Sequence, residues 1–382
     1  MAEYFNDEHL MLREMVRNFA QNEVAPVAAK LDQHEQFPSE VVQQMGELGL
    51  MGIPYPEEYG GAGMDTVAYA LTVEELTKAC SSTAITMAAH TSLGTFPVYR
   101  FGTEDQKKQY LPKMTSGEFL GAFGLTEPQA GSDAAGTQTT AVRDGNEWVV
   151  NGAKMFMTNG GHADVIVFTA VTDPAAGVGS GISCFIVEKD TPGLVLGKKE
   201  KKMGWRASDT RQVFFEDMHL PAENLLGDLN RGYAQFMETL DGGRISVAAM
   251  GLGLAEAAFD EAKKYVNERT AFGKKIKQFQ GVSFPLADMK TKIEAARHLT
   301  FHAAQLKDAG KEFKLEAGMA KLYTSELATW ATNQALQVHG GYGYIKEFPV
   351  ERYFRDAKIL EIGEGTSEIQ RLIIAREVLQ ES

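Results

Sequence analysis

The chain has 382 residues, 44% hydrophobic and 23% charged, close to the soluble globular average, which excludes a disordered or fibrous protein and allows a sizeable core in several layers. A net charge of −13, with Lys and Arg interspersed among Asp and Glu, argues against a sequence-independent grip on nucleic acid or an anionic membrane. Only Cys80 and Cys184 occur, so no disulfide framework or CxxC site is available; with neither an apolar leader nor an apolar stretch of roughly 20 residues, the expectation is an unprocessed cytoplasmic protein without stable membrane insertion.

Apolar residues recur at three- and four-residue spacing from Glu8 to about Lys30 and through 38–48, 65–79 and 104–117, which predicts an N-terminal helical domain over 1–121. The pattern then changes to alternation. Asp144-Gly145 and Asn151-Gly152 read as hairpin turns, and ADVIVFTAV, GISCFIVEK and TRQVFFEDMHL read as strands, broken by the glycine-rich loop 177–181 and the Pro192-Gly193 turn. This gives a middle β domain over 122–229. The basic run Lys198–Lys202 falls between strands and reads first as a solvated turn, with reception of a ligand's phosphates as the alternative. Three periodic segments, roughly 232–268, 282–309 and 313–338, predict the antiparallel helices of a bundle over 230–382. His298 and His302 lie four apart on one of them, but without an intervening HExxH glutamate or a third ligand they read as packing or surface residues rather than a metal pair.

Near the C-terminus, LEIGEGTSEIQ sets Glu364 between Gly363 and Gly365, ahead of a Ser367-x-x-Gln370 capping box. A helix should begin there, offering free N–H groups and the positive end of its dipole, while glycine neighbours allow close approach of a ligand. Catalytic use of Glu364 and simple capping of a surface loop are equally compatible with this motif alone. FGLTEPQAGSD at 123–133 likewise suits either a ligand loop bearing hydroxyls or a connection between domains.

Taken in order, FGLTEPQAGSD, MFMTNGG (155–161), LDGGR (240–244), RTAFGKKI (269–276), QVHGGYGY (337–344) and EGTSEIQ closely resemble the acyl-CoA dehydrogenase family, over essentially the whole chain. The resemblance implies an α+β fold: an N-terminal helical domain, a central β-barrel or sandwich and a C-terminal four-helix bundle, assembled as a homotetramer, a dimer of dimers. It implies FAD, held around the ring by Phe123, Leu125, Thr126, Gly131 and Ser132, flanked by Phe156 and Thr158, and followed by Thr366, Ser367 and Glu368. Arg269, Phe272, Gln280, Gln337, Gly340 and Gly341 match contacts to pyrophosphate and adenosine, partly across a dimer interface. Ser132, Asp241, Arg244 and Gly365 match the acyl-CoA site. Phe156 stands where many relatives have tryptophan, which keeps an aromatic face without the indole N–H.

The resemblance further implies that Glu364 removes the α-proton of an acyl thioester, that flavin N5 takes the β-hydride, and that an electron-transfer flavoprotein receives the electrons. Relatives that take their base from the residue before the arginine of DGGR differ here, where that residue is Gly243. The wording is most like the short-chain, butyryl-CoA enzymes. Gly363, where many members carry tyrosine, opens the alternative of a branched, cyclic or medium-chain substrate. An acyl-CoA oxidase would be longer, a glutaryl-type decarboxylase would need a cation for the distal carboxylate, and a silent flavoprotein is opposed by the retained Glu364.

Overall fold

The computed structural model describes residues 4–379. Helix α1 (Asp7–Phe19) is capped by Asn6, whose side chain accepts from the His9 N–H, and runs through a π-helical turn, Ala20–Val24, into α2 (Ala25–His34). After α3 (Ser39–Glu47) and α4 (Thr66–Ala79) come α5 (Ser81–Ala88), a π-helical stretch to Thr95, α6 (Phe96–Phe101) and α7 (Glu104–Thr115). The α5–α6 segment had no legible period because every residue of α5 is buried, so no polar face marks it.

Strands β1 (Gly121–Gly124), β2 (Thr140–Asp144), β3 (Glu147–Thr158), β4 (Val165–Val171), β5 (Ile182–Glu188), β6 (Leu194–Lys199), β7 (Thr210–Pro221) and β8 (Leu225–Leu226) form one sheet. Their order is β6-β7-β3-β2-β4-β5-β8, with β1 parallel beside β4. The unbroken apolar run of β4 follows from burial on both faces. Ile166, Phe168 and Ala170 enter a core within the sheet domain, while Val165 and Val167 meet Leu111, Met114 and Phe236 of neighbouring helices.

Two readings of this region are corrected. The β2–β3 hairpin turns where expected, with Asp144 opposite Glu147, but Asn151-Gly152 lies inside β3, where a register shift against β7 forms a bulge. The basic run is not simply solvated. Lys199 ends β6 and donates to the Glu35 carbonyl, and Lys202 turns inward to the Ser208 carbonyl at 2.7 Å and Thr210 Oγ1 at 2.9 Å.

Helices α8 (Gly232–Glu268), α9 (Gln280–Asp308) and α10 (Lys314–His339) match the three long periodic segments, joined by a small β9 (Thr270–Ala271) and β10 (Lys274–Lys275) ribbon and followed by α11 (Val350–Ala357) and α12 (Ser367–Leu379). One apolar core spans the N-terminal helices and α8–α10. Within it Arg297 of α9 donates to Glu74 of α4 at 2.8 and 3.1 Å and also pairs with Glu256 of α8. His298 and His302 are exposed, and His298 meets the Tyr4 hydroxyl at 3.0 Å. Among the described residues no helix is long and apolar enough to cross a membrane.

Candidate active site

Between a 3₁₀ turn at Lys358–Glu361 and α12, the chain passes through Glu364 at φ 53° and Gly365 at φ 93°. A non-glycine residue in the left-handed region carries strain, of the kind that accumulates at functional positions. The two flanking glycines are not equivalent. A Cβ on Gly365 would stand 2.7 Å from Gln370 Nε2, whereas a Cβ on Gly363 would meet nothing closer than the Ile359 carbonyl at 3.4 Å. Helix α12 begins where expected, but its cap is Thr366, whose Oγ1 accepts from the Ile369 N–H at 3.2 Å. Ser367, expected as the cap, is in the first turn with its hydroxyl buried and unpartnered.

The Glu364 carboxylate points inward, with Oε2 sealed from solvent and without a hydrogen bond. Burial pushes its pKa up to about 7, against the opposing pull of Lys321 and then Arg244. The carboxylate fits only because residue 243 has no side chain. A Cβ there would lie 2.6 Å from Glu364 Oε2 and 3.2 Å from Leu93 Cδ2. One position on, Arg244 is buried and paired with Asp241 through Nη1, while its Nε is buried and unpartnered. Burial raises the Asp241 pKa in opposition to Arg244. The predicted base and the predicted acyl-CoA residues Asp241, Arg244 and Gly365 therefore meet at one place.

The FGLTEPQAGSD loop leaves β1. Phe123 stacks on Phe236 with centroids 4.0 Å apart, the Thr126 carbonyl accepts from the Met155 N–H at 2.7 Å, and Glu127 and Ala130 bridge across the turn. Gly131 and Ser132 are exposed beyond that bridge. Beneath it lies an ion pair the sequence did not announce: fully buried Lys154 donates to Glu127 at 2.7 Å and reaches the Leu125 carbonyl at 3.3 Å. Phe156 sits at a second irregularity of β3, between Lys154 and Met157, at φ 56° with 61% of its surface exposed; Thr158 ends the strand.

The remaining predicted cofactor residues form a separate group. Arg269, Gly340 and Gly341 line a groove of about 520 Å³ with Tyr265, Val338 and His339. The Arg269 guanidinium lies over Tyr342, 5.5 Å from the ring centroid. Phe272 is 94% exposed at φ 51°, and Gln280 and Gln337 are also exposed. Arg244 lies about a third of the way along α8 and Arg269 caps its C-terminus, and 1.5 Å per residue sets them roughly 37 Å apart. Thr366, Ser367 and Glu368 thus directly follow Glu364, while Arg269 and the predicted contacts around it lie far along the chain from Arg244, as contacts shared across a dimer would require. Orphaned polar atoms in both places, Arg244 Nε and Ser367 Oγ in one and His339 Nε2 in the other, fit an extended polar cofactor.

Lys321 was also missed. It is fully buried on α10 and donates to the Gly365 carbonyl at 2.5 Å. The available signal was its position on a face of small residues, with Ala317, Thr324 and Ala328 at helical spacing.

A helical, β and helical chain is the architecture of the acyl-CoA dehydrogenases, which are FAD-dependent oxidoreductases acting on acyl-CoA. The chain belongs to the acyl-CoA dehydrogenase family: models of that family's N-terminal, middle and C-terminal domains match residues 6–118, 122–218 and 230–379. It is 54% identical to a Bacillus subtilis protein named "Probable acyl-CoA dehydrogenase" and 50% identical to the short-chain specific acyl-CoA dehydrogenase of Clostridium acetobutylicum, covering 98% of each chain in both cases. Butyryl-CoA dehydrogenase from Megasphaera elsdenii superposes with a TM-score of 0.97 at 44% identity, covering 98% of this chain and 99% of that one. A chain from a study of the electron transferring flavoprotein of Acidaminococcus fermentans does so with 0.97 at 47%, covering 99% of both. An acyl-CoA dehydrogenase of Bacillus anthracis complexed with FAD gives 0.93 at 37%, over 99% of this chain and 68% of that one.

Proposed function

We propose that the protein desaturates a short-chain, butyryl-CoA-like thioester to the trans-2-enoyl-CoA, with Glu364 as the base for the α-proton. The observation that carries this reading is the sealed, unpartnered Glu364 Oε2 with a pKa near 7, a value suited to taking a proton at neutral pH. FAD, when bound, supplies the acceptor for the β-hydride. Phe123, Leu125, Thr126, Gly131, Ser132, Phe156, Thr158, Thr366, Ser367 and Glu368 would hold its ring region. Arg269, Phe272, Gln280, Gln337, Gly340 and Gly341 would hold its diphosphate and adenosine from the second group.

Within the site the Glu364 backbone N–H donates to the thioester carbonyl and stabilises charge developing on that oxygen. Lys321, and after it Arg244 held by Asp241, oppose the burial that disfavours the ionised carboxylate. The separation of the two cofactor groups supports a dimer as the smallest complete unit, within a homotetramer. The likeness to a chain studied with an electron transferring flavoprotein supports such a flavoprotein as electron acceptor.

Glu364→Gln tests the base. The variant should fold and retain FAD yet show almost no flavin bleaching with butyryl-CoA; bleaching at the wild-type rate would remove Glu364 from the mechanism. The free space at Gly363 favours a second reading, a branched, cyclic or medium-chain substrate. Rates over a panel of such acyl-CoA thioesters decide between the two.

A further inference from the structure

We infer that Lys321 is a positioning residue for Glu364: a buried ammonium that fixes the turn bearing the carboxylate and supplies the counter-charge that keeps it ionised. The inference rests on Glu364 being the base. Three observations carry it. The Gly365 carbonyl accepts from two donors, Lys321 Nζ at 2.5 Å and Gln370 Nε2 at 3.1 Å, so the peptide after Glu364 is tied to both α10 and α12. Glu364 and Gly365 both hold left-handed backbone, a geometry that persists only when the surroundings enforce it. Finally, Lys321 is completely buried, yet among the described residues no carboxylate pairs with it directly, so its charge is left to act on the site.

A buried ammonium is expensive unless its charge is used. Burial lowers the Lys321 pKa to about 8, and Glu364 is the foremost charge opposing that fall. Reciprocally, Lys321 is the foremost charge holding the Glu364 pKa down against burial. The other groups facing the pair are Arg244 from α8, itself paired with Asp241, Tyr69 from α4, and Glu361 and Glu368 on either side of the turn. Arg244 is already committed to Asp241, and Tyr69 stays protonated because burial raises its pKa far above neutrality. Lys321 is therefore the cation that sets how readily Glu364 ionises.

The test uses the FAD-loaded enzyme. Lys321→Met removes both charge and donor, whereas Lys321→Gln removes the charge and keeps a donor for the Gly365 carbonyl. In both, the acid limb of the kcat/KM profile should move to higher pH by about one unit. The resulting loss of roughly tenfold at pH 6.5 should disappear by about pH 9, with FAD content unchanged. A profile that superposes on the wild type, or falls by one constant factor at every pH, overturns the inference and leaves Lys321 a structural residue.

If neither variant retains FAD, Glu364→Gln reads the pairing from the other side. A lysine whose folded pKa lies below its unfolded value adds stability as pH rises through the folded value. Without its counter-charge Lys321 gives up its proton sooner, so the thermal midpoint of Glu364→Gln should begin to climb above pH 7 earlier than that of the wild type. Parallel curves reject the pairing. Activity in Glu364→Gln would reject the base itself, whatever the Lys321 variants do.

Discussion

Replacing Gly243 with alanine tests the geometry of the site with a single methyl group. The new Cβ would stand 2.6 Å from Glu364 Oε2, about 0.8 Å inside the 3.4 Å at which ordinary contact begins, and Leu93 Cδ2 at 3.2 Å blocks sideways relief. The carboxylate must retreat on a backbone already fixed at φ 53°. A misplacement near 1 Å costs on the order of 100-fold in rate. Stability should change far less: alanine gains about 1 kcal/mol over glycine within a helix, and overpacking costs about 1–3 kcal/mol. The net loss of ~0–2 kcal/mol lowers the thermal midpoint by a few degrees at most. The assay is anaerobic flavin bleaching by butyryl-CoA at saturating substrate, with FAD content and thermal midpoint measured in parallel. A variant bleaching within about threefold of the wild type would refute the placement of Glu364 against residue 243, and one that fails to fold would refute the small stability cost.

The pKa near 7 sets the pH response of the wild type: kcat/KM should rise through pH 7 as Glu364 ionises, and a limb near 4.5 would show that the carboxylate is not sealed. Because the folded value lies above the unfolded one, folding is favoured at low pH and loses that contribution between about 4.5 and 7, so Glu364→Gln should exceed the wild type in thermal midpoint most clearly above pH 7. Lys154→Met leaves Glu127 buried without its partner and should cost about 3–5 kcal/mol with loss of FAD. Adding Glu127→Gln should recover part of the stability, as a denaturant melt of the double variant would show. Gly363→Tyr should fold and narrow the acyl-CoA panel towards straight short chains, while Gly365→Ala, at φ 93° and 2.7 Å from Gln370 Nε2, should lose activity with every substrate.

The long helices were legible because α9, α10 and the two ends of α8 keep exposed polar positions at helical spacing, although 242–255 of α8 is buried throughout. Segment 81–101 was not, because burial on all sides erases the apolar period. Asn151-Gly152 has the composition of a turn, and only the pairing of β3 with β7 makes it a bulge. At the candidate site, motif order singled out Glu364, Asp241 and Arg244, which the fold brings close together. Lys321 and Lys154 escaped because a lysine within a helix or strand is ordinarily solvated, and only tertiary packing turns these two inward. The cap moved from Ser367 to Thr366 for a similar reason: both side chains suit the role, and the tight Glu364–Gly365 turn decides which one reaches the free N–H groups.

The lack of a side chain at Gly243 also bears on how such a site can diversify. Helix α8 and the turn before α12 come from distant parts of the chain, yet their residues 243 and 364 address the same point. A carboxylate delivered from either address would occupy nearly the same place while approaching it from a different wall. The reactive group can therefore change its origin in the chain without moving the acyl thioester, leaving the vacated wall free to accommodate a different shape of acyl group.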